Sequence, residues 1–477
     1  MFHHSVSRFG LATHLALAAA LPAALAQFVS VDFLAVSMLW VSLAAWIWML
    51  FEPSVLAGET VSRARARMIG GIVKNPFVWF LILTVLFAFI RWLNSDIRLF
   101  YDAEKAIWSV KAPSASIMPG SSGDSGFFPF SCVVTISTVV IGVIHALGKN
   151  ARIWFGVMTG VFSAIGALAA VICVAMGNEY FKGEAAATYG AASFVGSAFA
   201  MILPVSIACG IEAEERGITG ARLLFALSVA GNLAASFVFL PLPMSISYLL
   251  LSAIVSIVGL VLCKRRHGGA ACARAASMLA FGIIGAVSSV MVPSYKETVQ
   301  SKMAEMNVEK VIPPALADRN EVLNRISVSM WKDHQWGGVG VGAFKLQVPF
   351  YADREDWQVL PSRPESPSNG YFSILAERGI VGSLFWVAGI AFLAGIWALR
   401  LAGSVQWYRC QDESKAWFFC MPVAVWVGPA VLVGLSADAY FSSGISLTSL
   451  PVYGAASMAL AASSFPKKKN RDNVIKD

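Results

Sequence analysis

The chain has 477 residues, of which 57% are hydrophobic and only 13% charged, and its mean hydropathy is +0.67. Soluble domains carry about 25% charged residues to wet their surface, so a soluble multidomain enzyme is excluded. The net charge of +8 is scattered over short loops between apolar runs, with no basic stripe interleaved with aromatics, which argues against a nucleic-acid partner.

A bilayer core needs roughly 20 apolar helical residues. Twelve segments approach that length: 9–27, 31–51, 76–92, 128–147, 154–176, 190–210, 222–239, 243–263, 275–293, 379–399, 417–436 and 444–463. The expected fold is therefore all-α, a polytopic integral membrane protein of about 12 transmembrane helices. The first segment follows His3, His4 and Arg8 and ends in AALAQ, so it reads either as a span or as a signal peptide cut after Ala26. Positive charge sets orientation: in short loops 21 Lys and Arg fall on the side of the N-terminus and 5 on the other. Both termini are expected on the cytoplasmic side.

Four regions follow from this map. Residues 1–293 hold helices one to nine, 294–378 form one large outer loop, 379–463 hold helices ten to twelve, and 464–477 are a basic cytoplasmic tail suited to anionic lipid. The large loop carries 10 basic and 11 acidic residues with internal helix and turn signals, more than a connector requires. A second outer loop, 93–127, is rich in Ser, Gly and Pro. No internal repeat of the kind found in many transporters is visible.

The seven cysteines lie mostly in or beside apolar spans, and none has metal spacing. Neither a disulfide framework nor a metal site is expected, and no cofactor is indicated. The spans carry few ionisable groups: Asp32 and His145 fall near span ends and His14 in the first turns of the first span. An ion or proton pathway needs more than that.

The large loop holds the chemistry. Asn320 to Lys332 has apolar residues at Val322, Leu323, Ile326, Met330 and Trp331, a helical spacing that puts Arg325 on the polar side. Trp331, Asp333 and His334 lead into GGVGVGAF, which has no preceding strand and no following Lys-Ser/Thr. It predicts a tight backbone turn against the helices, not a phosphate loop. Asn369 to Glu377 runs straight into the tenth span, so Tyr371 and Glu377 are expected at the mouth of the bundle.

These residues resemble the O-antigen ligase and polymerase (Wzy) superfamily. The motif part covers Arg325 to Gly382: a helix with an arginine, the glycine turn, then N-x-Y-x-x-x-L-A-E-x-G-x-x-G from Asn369. The twelve-span layout with its late outer loop extends the likeness, and YGAASFVGSAFAMILPVSIA (189–208) is similar to the family's glycine-bearing span. The resemblance implies a bacterial inner-membrane enzyme with the large loop periplasmic. Its donor would be an undecaprenyl-diphosphate-linked glycan, its acceptor a glycan or lipid, and its products O-antigen or exopolysaccharide. The implied transfer is metal-independent and inverting, and other polysaccharide assembly proteins are the implied partners beside the bilayer.

That chemistry needs cations around the diphosphate and a group to take the acceptor proton. Arg325 is the leading cation, because a guanidinium binds phosphate oxygens in pairs. Arg354, Arg363 and Arg378 are weaker candidates. Asn369, Tyr371 and Glu377 are candidates for binding glycan, although Asn369 and Tyr371 also suit loop structuring. Glu377 also suits a cap at the start of the tenth span. The chain departs from the family where H-x-H-N-x-Y is usual, since Ser366 and Ser368 hold both histidine positions. The turn FLPLPMSISY (239–248) also lacks the family's arginine. Glu365 and His334 are the candidate replacement bases; the alternative is a transfer that needs no strong base, with a well-stabilised diphosphate leaving from an oxocarbenium-like centre. Missing these ligase-associated residues, the chain favours polymerase over ligase. The competing readings are a lipid or polysaccharide translocator and a catalytically silent binding subunit of an assembly complex.

Overall fold

The computed structural model describes residues 3–25, 29, 31–51, 60–94, 98–102, 107–111, 127–175, 192–218, 220–239, 242–289, 314–360, 367, 369–411, 421–441 and 450–465. Among the described residues the fold is all-helical apart from one short hairpin. In order the helices are α1 His3–Leu25, α2 Val31–Phe51, α3 Val61–Val73, α4 Pro76–Leu93, α5 Phe127–Ile141, α6 Lys149–Ala175, α7 Ala192–Glu215, α8 Ala221–Phe239 and α9 Leu242–Ser289. Then come α10 Pro314–Asp333, α11 Phe344–Tyr351, α12 Gly370–Gln411, α13 Ala424–Phe441 and α14 Leu450–Ser463. A π-helical turn, Gly142–Ala146, ends α5. The hairpin pairs β1, Arg98–Asp102, with β2, Ile107–Lys111, in antiparallel register with Tyr101 opposite Trp108.

Each of the twelve predicted segments overlaps a helix, the last two only from Ala424 and from Leu450 onward. Among the described residues, six helices are both long and apolar enough to cross a bilayer. One of these, within α9, covers 40 residues and is broken at Gly268, whose φ of +82° turns two predicted spans into one hairpin. The shorter apolar stretches Gly10–Pro22, Ala221–Ser236 and Gly454–Ser463 lie in α1, α8 and α14. The 112–126 part of the Ser/Gly/Pro-rich loop lies outside the described residues.

Because lipid tails are as apolar as leucine, helices in a bilayer associate through close packing and internal hydrogen bonds. The trio α6, α7 and α8 shows both. A Cβ at Gly160 would lie 2.7 Å from Ser206 Oγ, so only glycine lets these helices approach. In the same layer Asn232 donates to the Gly160 carbonyl at 2.9 Å and accepts from Ser163 Oγ at 2.6 Å. A charged knot ties the end of α7 to the start of α8 and to the turn within α9: Glu214 pairs with Arg222 (2.9 Å) and Arg274 (3.3 Å), and Glu215 with Arg266 (3.3 Å). Arg216 donates to Asn150 at the start of α6 at 3.1 Å, so helix alternation places this knot at the opposite end of the bundle from the C-terminus of α4.

The large loop has a core of its own. Leu323, Ile326 and Met330 of α10 pack with Val339, Phe344, Val348, Leu360 and Ala376. The helix predicted over 320–332 is present and begins earlier, at Pro314.

Candidate active site

The glycine turn fastens the loop domain to the membrane bundle. Gly338, Gly340 and Gly342 have φ of +70°, +105° and +72°, the left-handed region that side-chain-bearing residues avoid. This coiling lets 335–340 pair with 376–381 backbone to backbone. Val339 N donates to Ala376 O (2.8 Å), Gly340 N to Glu377 O (3.0 Å) and Ile380 N to Gln335 O (2.8 Å). Opposite, Gly379 breaks α12 with φ +63°. A Cβ on Gly338 would sit 2.4 Å from the Glu377 carbonyl carbon, and one on Gly379 would sit 2.5 Å from Gly338 N. Two glycines are therefore required where the segments cross.

The crossing orients three charged residues. Glu377 is buried, and its Oε1 accepts the Gly342 amide at 3.1 Å, with the Phe344 amide also bonded to the carboxylate. It thus caps the start of α11, where a carboxylate meets the positive end of the helix dipole. The cap expected at the tenth span is made on a different helix, because α12 begins nine residues before that span and runs through Glu377. Arg91, in the last turn of α4, is 5% exposed and donates to Gly337 O at 2.6 Å and Glu377 O at 3.3 Å. Arg378 follows Glu377. The two guanidinium groups lie close enough to repel, and the Glu377 charge offsets them. Each rests on an aromatic face, Arg91 5.4 Å from the Phe87 centroid and Arg378 5.7 Å from that of Trp386.

Both arginines close one end of a cavity of about 160 Å³ that runs the length of the bundle between α4, α5, α12, α13 and α14. Its wall is apolar, from Phe87, Phe130 and Phe385 beside the arginines to Phe77, Leu393 and Met458 at the far end. An apolar slot closed by two buried cations suits a long hydrocarbon carrying an anionic head.

The residues singled out by sequence are divided by the fold. Arg325 lies on the exposed side of α10 and pairs with the buried Asp356 and, at 3.5 Å, with Asp353; it does not line the cavity. His334 is exposed at the end of α10, and its carbonyl accepts the Gly338 amide at 2.9 Å. Arg354 is exposed as well. Asn369 Oδ1 accepts Tyr371 N at 2.9 Å and caps α12, while Tyr371 stays half exposed. Arg363 and Glu365 lie outside the described residues. Tyr351 donates to Asp333 at 3.0 Å, and burial together with that carboxylate pushes its phenol up to about 12, so it stays a donor at neutral pH.

Arg91 was missed. It counts among the few basic residues on the sparse side of the charge balance, yet FAFIRWL places it inside an apolar span, where an ionisable group is costly.

Asn369→Ala gives a first expectation. Loss of one N-cap acceptor costs about 1 kcal/mol, so the purified variant should melt a few degrees lower while Asn369→Asp stays close to wild type. Equal melting of all three would show that the cap contributes nothing.

A helical bundle with a folded lobe fastened over an apolar slot defines the class: a multi-pass membrane protein whose cavity suits an amphiphile. Residues 231–387 match the family model described as O-antigen ligase (Wzy_C), the superfamily that the motifs resemble. The matched stretch runs from within α8 through the glycine crossing into α12 and supports membrane glycan processing; Arg91 lies outside it. No curated protein matches the sequence.

Proposed function

We propose that this chain transfers glycan from undecaprenyl-diphosphate-linked oligosaccharide to a glycan or lipid acceptor on the periplasmic face of the inner membrane. Polymerisation is favoured over ligation, because Ser366 and Ser368 stand where ligases carry histidines. The observation that carries the reading is the Arg91–Arg378 pair at the end of the apolar slot, directly beneath the glycine crossing. The slot takes the polyprenyl chain and the arginines take the diphosphate.

In the transfer an acceptor oxygen bonds to the anomeric carbon while the bond from that carbon to the phosphate oxygen breaks. The electron pair leaves with the diphosphate, so negative charge grows beside Arg91 and Arg378, where a fixed guanidinium is most effective. Attack opposite the leaving group inverts the anomeric centre. The acceptor proton passes to His334 or Glu365, both of which flank the crossing in sequence. Asn369 and Tyr371 orient the loop and glycan. Arg325, held by Asp353 and Asp356, braces the lobe, and Arg363 remains a candidate for contacts to the glycan.

The test is a gel of surface and lipid-linked polysaccharide from cells lacking the gene, restored with wild type, Arg378→Ala or Arg325→Ala. The expected result is collapse of a long ladder to single repeats, rescued by wild type and by Arg325→Ala but not by Arg378→Ala. Long chains stranded on the carrier would mean ligation. An unchanged ladder in every lane would sink the transferase reading and leave a translocator or silent subunit.

A further inference from the structure

Trp336 is 68% exposed, an unusual placement for the largest apolar side chain beside a buried cationic centre. It is not exposed because its segment is loose. Its carbonyl accepts Val381 N at 3.2 Å, the preceding carbonyl, of Gln335, accepts Ile380 N at 2.8 Å, and the next, of Gly337, holds Arg91 at 2.6 Å. The indole therefore projects from a backbone fixed on both sides, one residue from the group that positions Arg91.

Its surroundings are polar. Lys332, Asp333, His334 and Gln335 are all exposed in the same run, and Asp333 Oδ2 is oriented by Tyr351 at 3.0 Å. An exposed flat apolar face, on a run that also presents a carboxylate, an imidazole, an amide and an ammonium to the outside, matches a pyranose ring, which offers C–H groups on its faces and hydroxyls round its edge.

Resting on the function proposed above, we infer that residues 333–336 form a sugar subsite, in which Trp336 stacks on the first sugar of the donor, the ring joined to the diphosphate held by Arg91 and Arg378. The edge groups of Asp333, His334 and Gln335 bond its hydroxyls. The subsite fixes the anomeric carbon relative to the leaving diphosphate.

The experiment measures binding to the full-length protein in nanodiscs with two probes. One is lipid-linked oligosaccharide extracted from cells lacking the gene; the other is undecaprenyl diphosphate without sugar. Wild type should bind the sugar-bearing lipid more tightly than the bare one. Trp336→Ala should lose about tenfold toward the sugar-bearing lipid, the worth of one stacked face, with no change toward the bare lipid. Trp336→Phe should recover most of the loss. Equal weakening toward both probes would make Trp336 a structural or interfacial residue and overturn the inference. So would an unchanged preference in Trp336→Ala. Failure of wild type to bind either lipid would overturn the proposed function with it, whereas binding of the bare lipid alone would overturn only the subsite.

Discussion

Arg91→Ala is expected to lower the rate of glycan transfer by about 100-fold or more, the usual cost of removing one fixed charge-stabilising donor. The side chain closes the apolar slot and spans two backbone carbonyls, Gly337 O and Glu377 O, from opposite segments of the crossing. Arg91→Lys keeps the charge and loses the fork that reaches both carbonyls and a phosphate together, so it should recover only a small part of the rate. The measurement is an initial rate with extracted lipid-linked oligosaccharide, paired with thermal melting to show that the variants fold. A folded Arg91→Ala protein with wild-type turnover would remove the diphosphate assignment. Arg325→Ala, by contrast, should stay within a few-fold of wild type, because that guanidinium is already held by Asp353 and Asp356 away from the slot.

The second large effect concerns backbone. Gly338→Ala and Gly379→Ala should each destabilise the protein severely and abolish activity. Left-handed backbone costs an alanine about 1–2 kcal/mol before any contact is counted. Here the new methyl group would also lie 2.4–2.5 Å from backbone atoms of the opposing segment, where neither side has a flexible end to move. Gly217 provides the control: its φ is +65° and nothing lies within 4 Å, so Gly217→Ala should show only the conformational cost. Thermal melting of the three variants separates the effects. Similar melting points for all three would mean that the crossing is not tightly packed.

Much of this architecture was legible in the sequence because its causes are local. Apolar length gives the spans, the spacing from Val322 to Trp331 gives α10, and the clustered glycines give the turn. What escaped depends on contacts between distant segments. Arg91 meets Gly337 across 246 residues, and Asp356 meets Arg325 across 31, so neither partner is apparent from its neighbours. Arg325 stands out in sequence as the arginine of a motif helix, and the fold adds its pairing with Asp353 and Asp356. Glu377 reads in sequence as a cap for the tenth span, but the helix it caps is the one that follows the glycine turn. The slot itself belongs to five helices, and no single one of them carries its pattern.

The charged knot at the other end of the bundle bears on how the chain is built. Glu212, Glu214 and Glu215 sit within four residues at the end of α7 and are deeply buried once folded. Their partners are synthesised afterwards in sequence: Arg216 and Arg222 almost at once, Arg266 just before the turn at Gly268 and Arg274 just after it, and the Ala424 amide, 2.8 Å from Glu212, last of all. During synthesis these carboxylates must remain in contact with water or an insertion factor until the later helices arrive. The knot therefore cannot be complete before residue 274 has been made, and a ribosome stalled before residue 266 would leave it open.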